Sequence, residues 1–332
     1  FGISSDLTSL ETQALTSGGD PLSYAVVGNV LTATAGGETI FTLTVNGDGS
    51  WEFVLKGPLD HPQMNGDDGE TLPGLGIDFS GILTATDGDG DPLAGGFPAG
   101  SFAIDIEDDV PIAATGDDIG VSGTVHEDAL TLGAGAPYEG NPEGGQTTTV
   151  SGLAGSLYGL VSFGADGPGG VGLSSDVSSL EVQALTSEGT PLSYGVVGNV
   201  LTATANGNTI FTLTVNGDGS WEFELGGPLD HPIADGSLDG ELLPALGIDF
   251  SGVLTATDGD GDPLPGGFPP GSFAIDIEDD VPRLAARYEQ EVFPQVLGEV
   301  QEDALDTPFD GNEEGGQSTT ASGGPGSLSA LV

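Results

Sequence analysis

Three acidic groups recur along this chain, and their residue types suit the binding of a cation. The turn motif TDGDGD and the strand-end motif IDIEDD each occur twice, and so does the Glu-Asp pair of EDAL. Calcium prefers carboxylate and carbonyl oxygens and takes about six to eight of them. The candidate metal ligands are Asp87, Asp89, Asp91, Asp105, Glu107, Asp108, Asp109, Glu127, Asp128, Asp258, Asp260, Asp262, Asp276, Glu278, Asp279, Asp280, Glu302 and Asp303.

The TDGDGD turn begins like an EF-hand loop but does not continue as one. Pro98 and Pro269 stand where the closing glutamate of that loop would fall, so an EF-hand is excluded. Alternate residues of a strand share a face, which predicts that Asp105, Glu107 and Asp109 point one way. The alternative for all three groups is that they are solubilising charges at loops and strand ends. Their recurrence at predicted domain borders favours calcium shared between one domain and the next.

The acidic groups recur because the chain itself repeats. The segment NTIFTLTVNGDGSWEFELGGPLDHP restates ETIFTLTVNGDGSWEFVLKGPLDHP, and Trp221 minus Trp51 gives an offset of 170 residues. Self-similarity at a long fixed period predicts an array of like domains rather than one enzyme fold. We expect residues 1–112 to form a repeat lacking its first strands and residues 113–282 a complete repeat with a leading linker. Residues 283–332 are predicted to be a linker and the opening strands of a third repeat.

The patterning within each repeat predicts an all-β fold. Short runs rich in Val, Ile, Thr and Phe are separated by 59 glycines and 22 prolines, and helical periodicity is almost absent. Seven such runs fit one repeat, which favours a sandwich or a barrel. In IFTLTV, alternation places Phe211, Leu213 and Val215 on one face and Ile210 with the two threonines on the other. One of these faces is predicted to be buried.

The charge of the chain restricts its partners. There are 52 acidic residues against three basic ones, which gives a formal charge of −49. Binding to nucleic acid or to anionic membranes requires lysine and arginine, so we expect neither partner. Cysteine is absent, which excludes disulfides and thiolate sites, and a zinc site would depend on three scattered histidines. No stretch reaches the roughly 20 apolar residues that span a bilayer, so membrane insertion is not expected.

Catalytic chemistry has little support, and we predict that the chain is not an enzyme. The sequence offers no Ser/His/Asp set, no cysteine nucleophile and no phosphate-binding loop. A carboxylate-dependent hydrolase would need two facing acids within about 10 Å in a concave pocket. His61 and His231 occur in the repeated PLDHP, where we expect structural hydrogen bonds to a loop.

The order GADG, GGPLDHP, GIDFSGVLTATDGDGDP and IDIEDDVP resembles the repeat domains of giant, type I-secreted RTX-type adhesins of Gram-negative bacteria. These are similar in style to VCBS and bacterial cadherin-like repeats, and the resemblance covers nearly all of the chain. It implies calcium-rigidified, Ig-like (cadherin-like) β-sandwich repeats of about 171 residues. Such extenders form a stalk or filament at the cell surface and serve cell adhesion or biofilm cohesion. The resemblance places the calcium ligands on the three acidic groups; type I secretion is implied by it alone.

The expected partners are neighbouring repeats, joined head to tail. The alternative is a binding module of the same adhesin type, in which a loop at 228–244 contacts a glycan or a surface. Phe1 aligns with Val171, and Val332 aligns with Val161, so we expect an incomplete domain at each end. The repeats could continue in one covalent array, or the end of one copy could complete the next by strand donation. Repeat proteins normally cap their ends, which favours the array.

Overall fold

The computed structural model describes residues 1–61, 76–116, 119–131, 144–231, 247–280, 296–301, 318–325 and 327–328. Strands dominate this part of the chain, and its only α-helices are two of four residues each. The all-β prediction is therefore confirmed. None of the helices in the described ranges has the length and apolar character needed to cross a membrane. The candidate ligands Glu302 and Asp303 lie outside the described residues.

The first unit contains ten short strands in its described residues and helix α1 (Thr8–Glu11). Strands β4 to β7 form an antiparallel meander, while β1 pairs with β9, β2 with β3 and β8 with β10. The strands are β1 (Gly2–Ile3), β2 (Thr16–Ser17), β3 (Asp20–Pro21), β4 (Ser23–Val27), β5 (Val30–Ala35), β6 (Glu38–Val45), β7 (Trp51–Leu55), β8 (Ile77–Asp78), β9 (Leu83–Thr84) and β10 (Ala103–Ile104).

The second unit contains the larger set of strands, β11 to β24, and helix α2 (Ser178–Glu181). The strands are β11 (Ile112–Ala113), β12 (Val121–His126), β13 (Thr149–Gly152), β14 (Val161–Ser162), β15 (Pro168–Leu173), β16 (Thr186–Ser187), β17 (Thr190–Pro191), β18 (Ser193–Val197), β19 (Val200–Ala205), β20 (Asn208–Val215), β21 (Trp221–Leu225), β22 (Ile248–Asp249), β23 (Leu254–Asp258) and β24 (Phe273–Glu278). Short 3₁₀ turns lie at Ser80–Ile82, Glu127–Ala129, Tyr158–Leu160 and Ser251–Val253.

The two units share one pairing scheme, and the second unit adds four strands to it, of which β11 and β14 pair with each other. Strands β18 to β21 repeat the meander of β4 to β7, β22 with β24 repeats β8 with β10, and β15 with β23 repeats β1 with β9. In the second unit β13 joins the edge of β21, and β12 joins β24 as a parallel neighbour. Among the described strands of the first unit, β7 and β10 have no such neighbours.

Aromatic rings fill the interior of each unit. In the second unit the ring centroids of Phe211 and Phe223 lie 5.3 Å apart in a tilted arrangement, Phe250 contacts both rings, and Phe273 links Phe250 to Trp221. The equivalent rings of the first unit form the same chain of contacts. Each buried aromatic removes a large apolar surface from water, which gives a unit without long helices a sizeable core.

Strand β20 departs from the alternation expected for it at one residue. Phe211, Leu213 and Val215 form one buried face. Alternation places Ile210 on the opposite face of the strand, yet its side chain is also buried, at 3% exposure. The pairing with β19 shifts here, because Ala203 faces Phe211 while Thr204 faces Thr209. Ile210 is thus the extra residue of a β-bulge, which turns its side chain into the core.

Candidate metal centre between the two units

One TDGDGD turn lies against the end of the preceding unit. The backbone N–H of His61 in the first unit donates to Asp260 Oδ2 in the second, at 2.9 Å and across 199 positions of sequence. Potential ligand atoms of His61, Asp108 and Asp260 all lie within 4.8 Å of one another. The turn adds a second overlapping group of Asp258, Asp260 and Asp262 within the same distance. Acidic groups from both units therefore converge at one place that could hold a metal ion.

The turn is built by its own first aspartate. Asp258 Oδ1 accepts the backbone N–H groups of Gly261 and Asp262, at 3.1 and 2.8 Å. Gly261 has a φ of 110°, a conformation that favours glycine. Gly259 lies so close to the carbonyl oxygen of Asp166 that a Cβ atom would overlap it. The sequence D-G-D-G-D thus places three carboxylates on a tight turn packed against the segment that carries Asp166.

The strand end of the first unit supplies one buried carboxylate. Asp108 is 6% exposed, whereas its neighbours in the motif, Asp105, Glu107 and Asp109, are exposed. His61 fixes Asp108, with Nδ1 at 3.1 Å from Asp108 Oδ1. That contact is an ion-pair distance without a directed hydrogen bond, since His61 Nδ1 makes none.

His61 and Asp109 tie the cluster to the backbone on both sides. His61 Nε2 lies 3.1 Å from the carbonyl oxygen of Ile106, which can only accept, so Nε2 is the donor of this hydrogen bond. Asp109 accepts the backbone N–H of Ala165 in the second unit through Oδ2, at 2.7 Å. The two units therefore meet through backbone donors and acidic acceptors.

The negative charges of the carboxylates at this contact repel one another. Burial, followed by contact with Asp262, raises the pKa of Asp108 to about 7. Burial and contact with Asp260 likewise raise the pKa of Asp258 to about 7. Burial and the charge of Asp260 raise the pKa of Asp166 to about 6. Two carboxylates about 4 Å apart repel by roughly 4 kcal/mol at an effective dielectric of 20, so a proton or a cation must relieve the cluster.

Several oxygens of the cluster have no hydrogen-bond donor. Among the described groups, Asp108 Oδ2, Asp258 Oδ2 and Asp260 Oδ1 are buried and accept no hydrogen bond. Buried polar atoms are normally satisfied, because an unsatisfied one costs about 1–3 kcal/mol. A bound divalent cation would satisfy these oxygens and offset their mutual repulsion at once.

The first TDGDGD turn has the same sequence in a different environment. Asp87, Asp89 and Asp91 also lie within 4.8 Å of one another, but all three are exposed, whereas Asp258 and Asp262 are at most 1% exposed. Hydrogen bonds, led by one involving Asp89, lower the pKa of Asp87 instead of raising it. The second turn is buried by the segment of its own unit that carries Asp166 and by the end of the first unit.

A second acidic cluster lies at the opposite end of the second unit. Ligand atoms of Glu127, His231 and Asp279 lie within 4.8 Å of one another. Glu127 Oε1 accepts the backbone N–H of Leu229 at 2.6 Å and lies 3.4 Å from His231 Nε2. Burial raises the pKa of Glu127, and burial with contact to Asp128 raises that of Asp280 to about 7. His231 is the repeat counterpart of His61, and Asp279 that of Asp108.

The EDAL group meets the end of its own unit rather than that of the preceding one. Strand β12 runs parallel to β24, with His126 opposite Glu278, so Glu127 lies beside Asp279. His126 Nε2 contacts Glu278 Oε2 at 2.9 Å. The sequence predicts that Glu127 shares a cation with the strand end of the first unit, and the structure places it elsewhere. Because strand β12 runs along the length of the second unit, Glu127 at its end lies far from the junction with the first unit.

The remaining candidate ligands have other surroundings. Asp128 is buried and accepts a hydrogen bond from Gln146 at 2.8 Å. Asp105 and Glu107 are exposed, and Asp276 is half-buried; none of the three belongs to a metal-ligating group found in the described part of the chain. The loop at 228–244, proposed as a binding loop, lies mostly outside the described residues.

Sequence reasoning missed three participants at the junctions, His61, His231 and Asp166. His61 contacts the carbonyl oxygen of Ile106, and both histidines belong to the acidic clusters. A signal for them existed, because PLDHP and GADG belong to the ordered motifs of the repeat. Repetition alone, however, does not indicate which motifs meet in space.

We expect the chain without divalent cations to lose stability as the pH rises from about 5 to about 7.5. Folded-state pKa values raised to about 7 at Asp108 and Asp258 mean that folding takes up protons. Their contribution to stability is fully present below the unfolded pKa of about 3.9 and is lost as the pH rises through about 7. Thermal unfolding in chelator at several pH values measures this; a melting temperature that rises over the interval would contradict it.

Comparisons with known proteins do not assign the chain to a family. No family model, no curated protein and no solved structure matches it. Its function must accordingly be inferred from the geometry of the two units and their junction.

Proposed function

We propose that the chain is a calcium-rigidified extender segment of a bacterial surface adhesin. Its units are tandem Ig-like (cadherin-like) β-sandwich repeats, joined head to tail as a stalk or filament. The chain acts as a structural spacer rather than an enzyme, and it serves cell adhesion or biofilm cohesion. The resemblance to repeats of RTX-type adhesins supports an extracellular location on a Gram-negative bacterium and export by type I secretion.

One observation carries this proposal: the junction between the units is itself the acidic cluster. Asp108 comes from the end of the first unit, and Asp258, Asp260 and Asp262 come from a turn of the second. A cation bound there would be coordinated by both units at once. Without it, the same carboxylates repel across the contact.

Calcium is the cation that the donor set fits best. The junction offers five carboxylates, and their oxygens can supply much of the shell of about six to eight oxygens that this hard ion takes; they belong to Asp108, Asp166, Asp258, Asp260 and Asp262. Extracellular calcium modules bind with dissociation constants of roughly 10⁻⁴ to 10⁻³ M, which suits a chain working outside the cell. His61 then serves as a positioning residue that holds Asp108.

An extender segment functions only if the junctions between its repeats are stiff. An adhesive tip is held away from the cell only if consecutive repeats resist bending. A cation bound by both units replaces repulsion with shared coordination, so the angle between the units becomes fixed. The cluster of Glu127, His231 and Asp279 would contribute ligands to a junction with a following repeat, as His61 and Asp108 contribute to the junction described here.

Small-angle X-ray scattering tests the stiffening role. We expect calcium to increase the maximum dimension of the chain and to narrow its distribution of distances. Magnesium at equal ionic strength serves as the control, because it dehydrates reluctantly and demands a stricter geometry. Identical profiles with calcium, magnesium and chelator would contradict the extender proposal. Zinc-selective binding that is lost in the His61→Gln variant would contradict the choice of calcium.

A further inference from the structure

Four Asn–Gly pairs occur in this chain, and three of them lie in the described residues. Asn46–Gly47 and Asn216–Gly217 occupy equivalent hairpin turns of the two units, whereas Asn206–Gly207 forms the turn between β19 and β20. All three asparagines are exposed. Exposure therefore does not distinguish these sites from one another, but their hydrogen bonds do.

The side chains of Asn46 and Asn216 are held at both ends of the amide group. Asn216 Oδ1 accepts a hydrogen bond from Asn199 Nδ2 at 2.7 Å, and Asn216 Nδ2 donates to Ser220 Oγ at 3.0 Å. Asn46 makes the two equivalent hydrogen bonds in the first unit, at 2.9 Å each. Each of these amide groups is thus fixed relative to its own backbone by two hydrogen bonds.

The side chain of Asn206 is held at one end only. Its Oδ1 accepts a hydrogen bond from Thr190 Oγ1 at 3.0 Å, and within the described part of the chain its Nδ2 donates none. The backbone N–H of Gly207 donates no hydrogen bond in that part either. Asn206 also has a φ of 52°, a left-handed conformation that Gly36 adopts in the first unit with a φ of 58°. The amide group of Asn206 can therefore rotate towards the nitrogen of Gly207 after breaking one hydrogen bond.

We propose that Asn206, because its amide group is held at one end only, is a site of spontaneous deamidation in the folded chain. The backbone nitrogen of Gly207 attacks Cγ of Asn206, so that a new N–Cγ bond forms and the bond from Cγ to Nδ2 breaks. Ammonia leaves with the proton of the Gly207 amide, and a cyclic succinimide remains. Glycine favours this step because it has no Cβ atom to hinder the approach. The first unit has Gly36–Gly37 at these positions and cannot react there.

Water then opens the succinimide at one of its two carbonyl carbons. Opening at Cγ gives aspartate in the original backbone, and opening at the main-chain carbonyl gives isoaspartate, whose backbone runs through Cβ and Cγ. The net change consumes water, releases ammonia and requires neither an oxidant nor a reductant. Isoaspartate lengthens the link between Ala205 and Asn208, which pair at the ends of β19 and β20. We expect it to loosen this end of the hairpin.

The new carboxylate would lie at the acidic end of the second unit. Thr190, which contacts Asn206, directly follows Gly189. The N–H of Gly189 donates to Asp230 Oδ2 at 2.7 Å, and Asp230 precedes His231 of the second acidic cluster. Deamidation therefore adds a negative charge beside a region already rich in carboxylates. None of the three asparagines is a candidate metal ligand, so this proposal is independent of the calcium proposal.

Peptide mass spectrometry on the folded full chain tests the proposal. The chain is incubated in calcium at mildly alkaline pH in water labelled with heavy oxygen, and it is then digested with pepsin at acid pH, where deamidation is slow. We expect labelled aspartate and isoaspartate to form at Asn206 at least about fivefold faster than at Asn46 or Asn216, because ring closure at those two sites must break one more hydrogen bond. Equal rates at the three sites, or an unmodified Asn206, would overturn the proposal.

Two controls test whether the folded structure sets this order. In denaturant the three sites should react at similar rates, because each is then an Asn–Gly pair in an unfolded chain. The double variant Asn199→Ala/Ser220→Ala removes both hydrogen bonds from the amide group of Asn216, which should then become reactive in the folded chain. Far-ultraviolet circular dichroism checks that this variant folds like the parent. A rate difference that persists unchanged in denaturant, or an Asn216 that stays unreactive in the folded double variant, would also overturn the proposal.

Discussion

Removal of divalent cations is expected to lower the melting temperature of this chain by about 5 to 15 °C. A ligand that binds only the folded state stabilises it by about 2.7 kcal/mol at a hundredfold excess over Kd and by about 4.1 kcal/mol at a thousandfold excess. For a unit of this size, 1 kcal/mol corresponds to a shift of roughly 2–4 °C. The physical source is the cluster of Asp108, Asp258 and Asp260, whose buried oxygens receive no hydrogen bond.

Calorimetry in calcium and in chelator measures this effect. Ionic strength must be matched, because any salt screens a chain with a net charge of −49. Sodium chloride at equal ionic strength separates screening from specific binding. A melting temperature that is the same in calcium and in chelator would show that the acidic groups are solubilising charges.

The second large effect is expected from one aspartate of the junction compared with its repeat counterpart. Asp260→Asn should weaken calcium binding at least about tenfold, equivalent to about 1.4 kcal/mol, because calcium sites depend on the number of charged ligands. Asp89→Asn changes the same position of the same motif, but Asp89 is exposed and its acidic group in the described residues contains only Asp87 and Asp91 of its own turn. We therefore expect Asp89→Asn to retain the calcium-dependent rise in melting temperature and Asp260→Asn to lose it.

This pair of variants separates two explanations of calcium binding. Titration calorimetry on the parent and on each variant gives the affinity directly, and asparagine preserves an oxygen that can accept the N–H of His61. If both variants lose binding equally, the turn itself is the site and the junction has no part in it. If neither loses binding, the cation lies elsewhere in the chain.

Local features of the fold were predictable from sequence because they depend on local chemistry. Alternation of Phe211, Leu213 and Val215 with threonine predicted a half-buried strand, and the structure confirms that face. The inward turn of Ile210 was not predictable, because the bulge depends on the register with β19 and not on the letters of β20. The parallel pairing of β12 with β24, which moves Glu127 to the far end of its unit, is likewise a property of the whole fold.

The candidate site was only partly predictable for the same reason. The sequence predicts that Asp258, Asp260 and Asp262 are metal ligands on a turn, but it makes the same prediction for the identical motif that begins at Asp87. One turn is buried and the other exposed because only the second turn packs against both a segment near Asp166 in its own unit and the end of another unit. His61 looked like a loop contact because its partners are distant in sequence: its backbone N–H binds Asp260, and its ring faces Asp108.

The most direct test of the central claim is anomalous diffraction from crystals grown in calcium. The account predicts an anomalous peak at the junction, about 2.3–2.6 Å from carboxylate oxygens of both units, with Asp108 on one side and the turn of Asp260 on the other. A peak coordinated by one unit alone, or no peak at this position in crystals soaked with saturating calcium, would contradict it.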